Sequence, residues 1–162
     1  AVHTYDETAW MKTIDVNLHG VFRVSRALLP LMILEGGTIV NTASRAGKTP
    51  PLFNGAYAVA KAGVIMLTKV MASELAGNGV RVNAICPGAV EGPRMDRVIS
   101  MEAAARGISE ADVRRGFTDG VALRRFVTAR EVAAMALFLA SDGASAITGQ
   151  ALVVDGHTER VT

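Results

Sequence analysis

The chain is predicted to fold as an α/β domain with a parallel sheet, and three features of its sequence say so. Short apolar runs at 38–43, 80–86 and 151–154 stand between longer stretches whose apolar residues recur at helical spacing. Glycine and proline punctuate these runs, at Glu35-Gly36-Gly37, Gly77-Asn78-Gly79 and Pro87-Gly88. Half of the 162 residues are hydrophobic and a fifth are charged, enough apolar material for one core. Strands that alternate with helices pair in parallel through crossover connections.

Each element follows in order. Thr8 through about Leu34 is helical in pattern, with Thr8 or Asp6 as a cap and Glu35-Gly36-Gly37 ending it. Pro30 should kink or break its last turns, because proline lacks the amide donor and crowds the preceding turn. Thr38 to Ala43 is a strand, and a Gly- and Pro-rich loop follows. About Ala56 to Leu75 is a helix stopped by Gly77-Asn78-Gly79. Val80 to Cys86 is a strand halted by Pro87-Gly88. Pro93 to Val127 reads as polar, mobile and partly helical. About Arg130 to Leu139 is an amphipathic helix capped by Thr128, and Ala151 to Val154 is the last strand. There are no internal repeats and no linker, so residues 1–162 read as a single domain or part of one.

Composition excludes several functions. The net charge is +2 and the basic residues are scattered, so no nucleic-acid surface is expected. No apolar run reaches about 18 residues without a charge, so no membrane span is expected. The single Cys86 excludes an internal disulfide framework and suits a reducing, cytoplasmic compartment. It lies in an apolar strand and reads as a core residue. His3, His19 and His157 have no ligand spacing, so no metal is assigned.

Chemistry concentrates in Tyr57-Ala58-Val59-Ala60-Lys61 and in Ser44 upstream. Residues four apart share a helix face, which sets the ammonium of Lys61 beside the phenol of Tyr57. A neighbouring cation favours phenolate, and a phenol tuned toward neutrality can exchange a proton with a substrate oxygen. Ser44 ends its strand, where open α/β sheets bind ligands, and could hydrogen-bond the same oxygen.

Asn41-Thr42-Ala43-Ser44, Tyr57-Ala58-Val59-Ala60-Lys61-Ala62-Gly63 and Arg81-Val82-Asn83-Ala84-Ile85-Cys86-Pro87-Gly88 together resemble the short-chain dehydrogenase/reductase family. Asp15-Val16-Asn17-Leu18-His19-Gly20-Val21-Phe22 is similar to its v-N-l-x-G-x-f signature, and Ile147 to Gly156 to its last strand. These motifs arrive in the family's order from near residue 5 to near residue 157. The resemblance implies the second half of a doubly wound, Rossmann-type parallel sheet. The family's glycine-rich T-G-x-x-x-G-x-G, its ribose-selecting strand and its N-N-A-G do not occur here, and upstream residues that carry them are expected.

The resemblance also implies roles. Tyr57 is the general acid or base, Ser44 orients the substrate oxygen, and Lys61 lowers the pKa of Tyr57 and binds the nicotinamide ribose. Asn17 holds a water near Lys61. Pro87, Gly88, Val90 and Gly92 belong to the loop over the nicotinamide ring. The family usually has Thr where this chain has Gly92, so closure over the cofactor is expected to rely on backbone groups such as those of Val90. The frequent D-G-G is here Asp155-Gly156-His157.

The implied activity is hydride transfer between NAD or NADP and a carbonyl or secondary alcohol, with a 3-oxoacyl thioester among the candidate substrates. The ribose selector is absent, so the two dinucleotides are not distinguished. Residues 91–127 read as a lid, with Met95, Ile99, Met101 and Phe117 as candidate pocket walls. Arg94 and Arg97 either meet an anionic group or are solvated lid charges. The two long helices carry more apolar residues than one sheet face needs, among them Val24, Leu28, Leu31, Val64, Leu67 and Val70. That surplus implies a homo-oligomer, and the resemblance makes it a tetramer. The competing reading is a non-catalytic oligomerisation or interaction fragment.

Overall fold

The structure, a computed structural model, describes residues 1–52 and 54–158. Helix α1 (Glu7–Ile14) is capped by the Asp6 side chain, which accepts from the Ala9 N–H at 2.7 Å. A π-helical turn (Asp15–His19) joins it to α2 (Gly20–Glu35). Strand β1 (Gly37–Thr42), helix α3 (Gly55–Leu75) and strand β2 (Val80–Pro87) follow. Helices α4 (Pro93–Arg106), α5 (Glu110–Asp119) and α6 (Ala129–Ala140) lead to strand β3 (Ala151–Val154).

The strands form a parallel sheet in the order β1-β2-β3, with Gly37 opposite Val80 and Ala84 opposite Ala151. Parallel sheets are covered on both faces, and the central strand shows it. Val80, Val82, Ala84, Ile85 and Cys86 are all buried. On one face α3 packs Met71, Ala72 and Leu75 against Val80 and Val82. On the other, Leu139 of α6 and Ala144 meet Ile85. Buried Asn83 satisfies its amide by donating to the Ile147 carbonyl (2.8 Å) and accepting from the Gln150 N–H (3.0 Å), which fixes the entry to β3. Burial pushes the Cys86 thiol pKa up, as suits a core residue.

One expectation is corrected. Pro30 does not break α2, which continues to Glu35. Leu29 and Met32 pack against the core on either side of it, and that packing outweighs the lost amide. Residues 93–127 are partly helical, as the sequence suggests. They form α4 and α5 around a small core of their own, made by Met95, Ile99, Ala103, Val113 and Phe126. Exposed charges such as Arg114 and Asp96, paired at 2.7 Å, mask that core in the sequence.

The segment Gly55–Asn78 is long and apolar enough to cross a membrane. Its buried residues, Ala56 through Leu75, instead face the sheet and α1. The helix layer keeps an exposed apolar surface at Val24, Leu28 and Leu31 of α2 and Val59, Met66 and Val70 of α3.

Candidate active site

The carboxyl ends of the three strands carry the site, which is where parallel sheets present side chains to ligands. The Ala43 N–H donates to the Ile85 carbonyl at 2.8 Å, extending the β1–β2 ladder to the residue before Ser44. Ser44 is extended (φ −164°, ψ 155°) and caps a short 3-10 turn, Arg45–Gly47. Its Oγ accepts from the Ala46 N–H at 3.1 Å. With a lone pair so engaged, the hydroxyl proton is left to donate elsewhere.

Gly47 seats this turn on α3. A Cβ at Gly47 would stand 2.6 Å from the Lys61 carbonyl carbon and 2.8 Å from the Ala62 nitrogen. Only glycine lets the backbone come so close. The loop that aims Ser44 therefore rests on the helical turn that carries Lys61.

Tyr57 lies in the first turn of α3 and is half-buried. Lys61, one turn later, is buried, and its Nζ donates to the Thr42 carbonyl at 2.9 Å. The same Nζ stands 5.7 Å from the centroid of the Tyr57 ring. Burial pushes the Lys61 pKa below the ordinary lysine value, because desolvation disfavours the charged form. An ammonium has three N–H donors, and Thr42 takes one. Among the described residues the Tyr57 hydroxyl has no hydrogen-bond partner.

Asn17 sits in the π-helical turn. Such turns are rare and are frequent at functional sites. Its Nδ2 donates to the Thr13 carbonyl at 3.1 Å, within its own helix. The contact from this turn to α3 is made by Leu18, which fills the space a side chain would take at Gly63.

Beyond β2, the Gly88 N–H donates to the Val154 carbonyl at 3.0 Å. A Cβ at Gly88 would lie 2.5 Å from the Asp155 Cβ, so a side chain there would collide with the β3 end. Val90 forms a parallel bridge with Val127. That bridge uses the Ala89 carbonyl and the Glu91 N–H, leaving the Val90 N–H and carbonyl without partners among the described residues. Gly92 has φ +135° and leads into α4, with Pro93 at its first position. A threonine would be strained in that conformation, which accounts for the departure noted in the sequence.

Two clefts meet at Ser44, Pro87 and Gly88. One, of ≈ 430 Å³, is lined by Tyr57, Lys61, Val90, Gly92 and Arg94. The other, of ≈ 180 Å³, is lined by Pro51, Ala89, Phe117 and Val121. The structure thus brings together Ser44, Tyr57, Lys61, Pro87, Gly88, Val90 and Gly92. Asn17 does not line either cleft. Of the candidate pocket walls Phe117 holds its place. Met95 and Ile99 turn into the core between α4 and α5, and Met101 is exposed. Arg94 lines a cleft and Arg97 does not.

Sequence reasoning missed Thr42, Gly47 and Arg45. Arg45 Nε lies 3.1 Å from Asp155 Oδ2, and its Nη2 donates to the Thr158 carbonyl at 2.6 Å. No sequence signal links positions so far apart.

The sequence profile of the family described as Enoyl-(Acyl carrier protein) reductase matches residues 1–157. The 3-oxoacyl-[acyl-carrier-protein] reductase FabG of Thermotoga maritima is 40% identical over 151 residues, 93% of this chain and 57% of that protein. A variant of actinorhodin polyketide ketoreductase, crystallised with NADPH, superimposes with a TM-score of 0.92 at 36% identity, covering 99% of this chain and 62% of that one. NAD+-bound xylitol dehydrogenase superimposes with a TM-score of 0.89 at 32% identity, over 96% of this chain and 62% of that one. The chain therefore spans little more than half the length of the relatives it matches.

The close approach at Gly47 generates a prediction. Gly47→Ala should push the Ser44 turn off α3, costing on the order of 1–3 kcal/mol in stability. Thermal or urea denaturation measures it, and a wild-type midpoint would contradict the contact.

Proposed function

The chain belongs to the short-chain dehydrogenase/reductase family, and on that premise we propose that it is the catalytic half of an oxidoreductase acting on a carbonyl or secondary alcohol with NAD or NADP. The observation that carries this reading is the junction of two clefts at Ser44, with Tyr57 and Lys61 in the larger one.

The donor set of the larger cleft fits the nicotinamide end of a dinucleotide. Lys61 has two N–H donors to spare for ribose hydroxyls, and the unpaired Val90 backbone offers one donor and one acceptor for a carboxamide. When bound, the nicotinamide accepts or supplies the hydride. Tyr57 gives its hydroxyl proton to the substrate oxygen in reduction and takes it back in oxidation. Ser44, its own oxygen already accepting from Ala46, donates its proton to the same oxygen and holds it in place. The Lys61 ammonium stabilises negative charge on the phenol oxygen. Asn17 is assigned a supporting role for a water near Lys61, in keeping with its place in the π-helical turn.

The smaller cleft takes the substrate. Its walls, Pro51, Ala89, Phe117 and Val121, suit an apolar group beside the reacting carbon. A 3-oxoacyl thioester and a small secondary alcohol both fit that description. Family membership and the convergence of Ser44, Tyr57 and Lys61 favour the enzyme over a non-catalytic interaction fragment. The outer edge of β1 is the place where a further strand of a doubly wound sheet would pair. The buried Cys86 fits a reducing, cytoplasmic compartment.

Tyr57→Phe keeps the ring and removes the ionisable hydroxyl. In the whole protein it should lower the NAD(P)-dependent rate by about 10²-fold or more, and a wild-type rate in steady-state assays would sink the assignment.

We further propose a homo-oligomer, with a tetramer favoured. Val24, Leu28 and Leu31 of α2 and Val59, Met66 and Val70 of α3 are exposed on the helix layer, and helices apolar beyond one face bury the second face too. Sedimentation at micromolar concentration should give a multimer, and a monomer alone would contradict it.

A further inference from the structure

The Arg45–Asp155 pair serves none of the steps above, yet it is nearly dry. The two side chains are 15% and 9% exposed, with Arg45 Nε 3.1 Å from Asp155 Oδ2. Burying two charges is costly, and a side chain needed only for solubility would not be placed there. Both carboxylate oxygens of Asp155 and two of the three guanidinium nitrogens of Arg45 are engaged. Arg45 Nη2 donates to the Thr158 carbonyl at 2.6 Å. The Asp155 carboxylate also accepts from the His157 N–H at 2.8 Å and the Thr158 N–H at 3.2 Å. That network holds the turn after β3, in which Gly156 and His157 both have positive φ (69° and 60°).

The location gives the pair its meaning. Arg45 follows Ser44 directly and opens the turn that Ser44 caps. Asp155 follows β3 directly and sits against Gly88, where the two clefts meet. The pair therefore spans the carboxyl end of β2 and ties the Ser44 turn to the far side of the sheet. On its other side the same turn is seated on α3 through Gly47. Arg45 lines the smaller cleft, but its guanidinium is engaged by Asp155 and the Thr158 carbonyl, so its effect is on geometry.

We infer that Arg45 is a positioning residue, which through its buried pairing with Asp155 and Thr158 aims the Ser44 hydroxyl at the substrate oxygen. This rests on the function proposed above. An error of about 1 Å in aim can cost on the order of 10²-fold in rate while leaving cofactor binding alone.

The test uses the whole protein and reads kcat and the cofactor KM for wild type, Arg45→Ala, Arg45→Lys, Ser44→Ala and the double variant Ser44→Ala/Arg45→Ala. Arg45→Ala should lower kcat by roughly 10- to 100-fold with the cofactor KM unchanged. Arg45→Lys keeps the charge opposite Asp155 and should recover part of the loss. In the Ser44→Ala background, removing Arg45 should cost little more, because a residue that acts through Ser44 has nothing left to aim. If Arg45→Ala does not fold, Arg45→Lys and Asp155→Asn in both backgrounds carry the same comparison. Wild-type kcat in the Arg45 variants, or an equal loss with and without the Ser44 hydroxyl, overturns the inference. Where Ser44→Ala loses activity and Arg45→Ala does not, the inference alone fails. Where Ser44→Ala itself turns over at the wild-type rate, the proposed function fails with it.

Discussion

A buried ammonium is the constraint around which the carboxyl end of the sheet is arranged. Lys61 is buried, and a charge in that position is costly unless it is paired or bonded. The Thr42 carbonyl takes one of its protons, and the Tyr57 ring lies 5.7 Å away. The second contact is internal to α3, and the first requires α3 to lie close on β1 and on the loop beyond it. The helix meets that need with Ala56, Ala58 and Ala60, all buried, and the loop meets it with Gly47. Small residues here are the consequence of placing a cation where water is scarce. The sign of the effect on stability follows. Burial lowers the Lys61 pKa, so between the folded and unfolded values the unfolded chain binds a proton that the folded chain has shed. Stability gains from this group as pH rises through that window and is penalised below it.

The same end of the sheet is joined laterally by close contacts. Gly88 gives up its side chain to Asp155, Asp155 pairs with Arg45, and Arg45 begins the turn that Ser44 caps. Each of the three strands thus ends at a residue committed to its neighbour. A hydroxyl, a phenol and an ammonium from two different elements come to line connected clefts because these contacts leave the backbone little freedom. A parallel sheet supplies the common end, and the glycines supply the closeness.

Much of the fold was legible because its signals are local. Gly36-Gly37, Gly79 and Pro87-Gly88 bound the strands, and Thr128 announces α6 through a full capping box with Glu131. That carboxylate, held by Arg125 and the Thr128 N–H, has its pKa lowered to about 2. The pairing of Tyr57 with Lys61 was legible for the same reason, since helical geometry alone places residues four apart on one face. Long-range relations were not legible. Nothing near Gly47 announces the Lys61 backbone, and nothing near Arg45 announces Asp155. The segment from Pro93 to Val127 was legible as partly helical, but its charged residues hide the core that Met95, Ile99 and Val113 make, so Met95 and Ile99 read as pocket walls. Asn17 was found by pattern, but its π-helical turn and its bond to Thr13 depend on how α1 and α2 pack, which no residue spells out.

The buried ammonium is open to direct measurement. Lysine labelled with ¹³C at Cε can be titrated by NMR in the intact protein, with Lys61→Met identifying the signal. The arrangement predicts a Lys61 pKa below the ordinary lysine value of about 10.4. A value at or above it would mean that Lys61 is solvated, and that α3, the Ser44 turn and the Thr42 carbonyl do not enclose it as described.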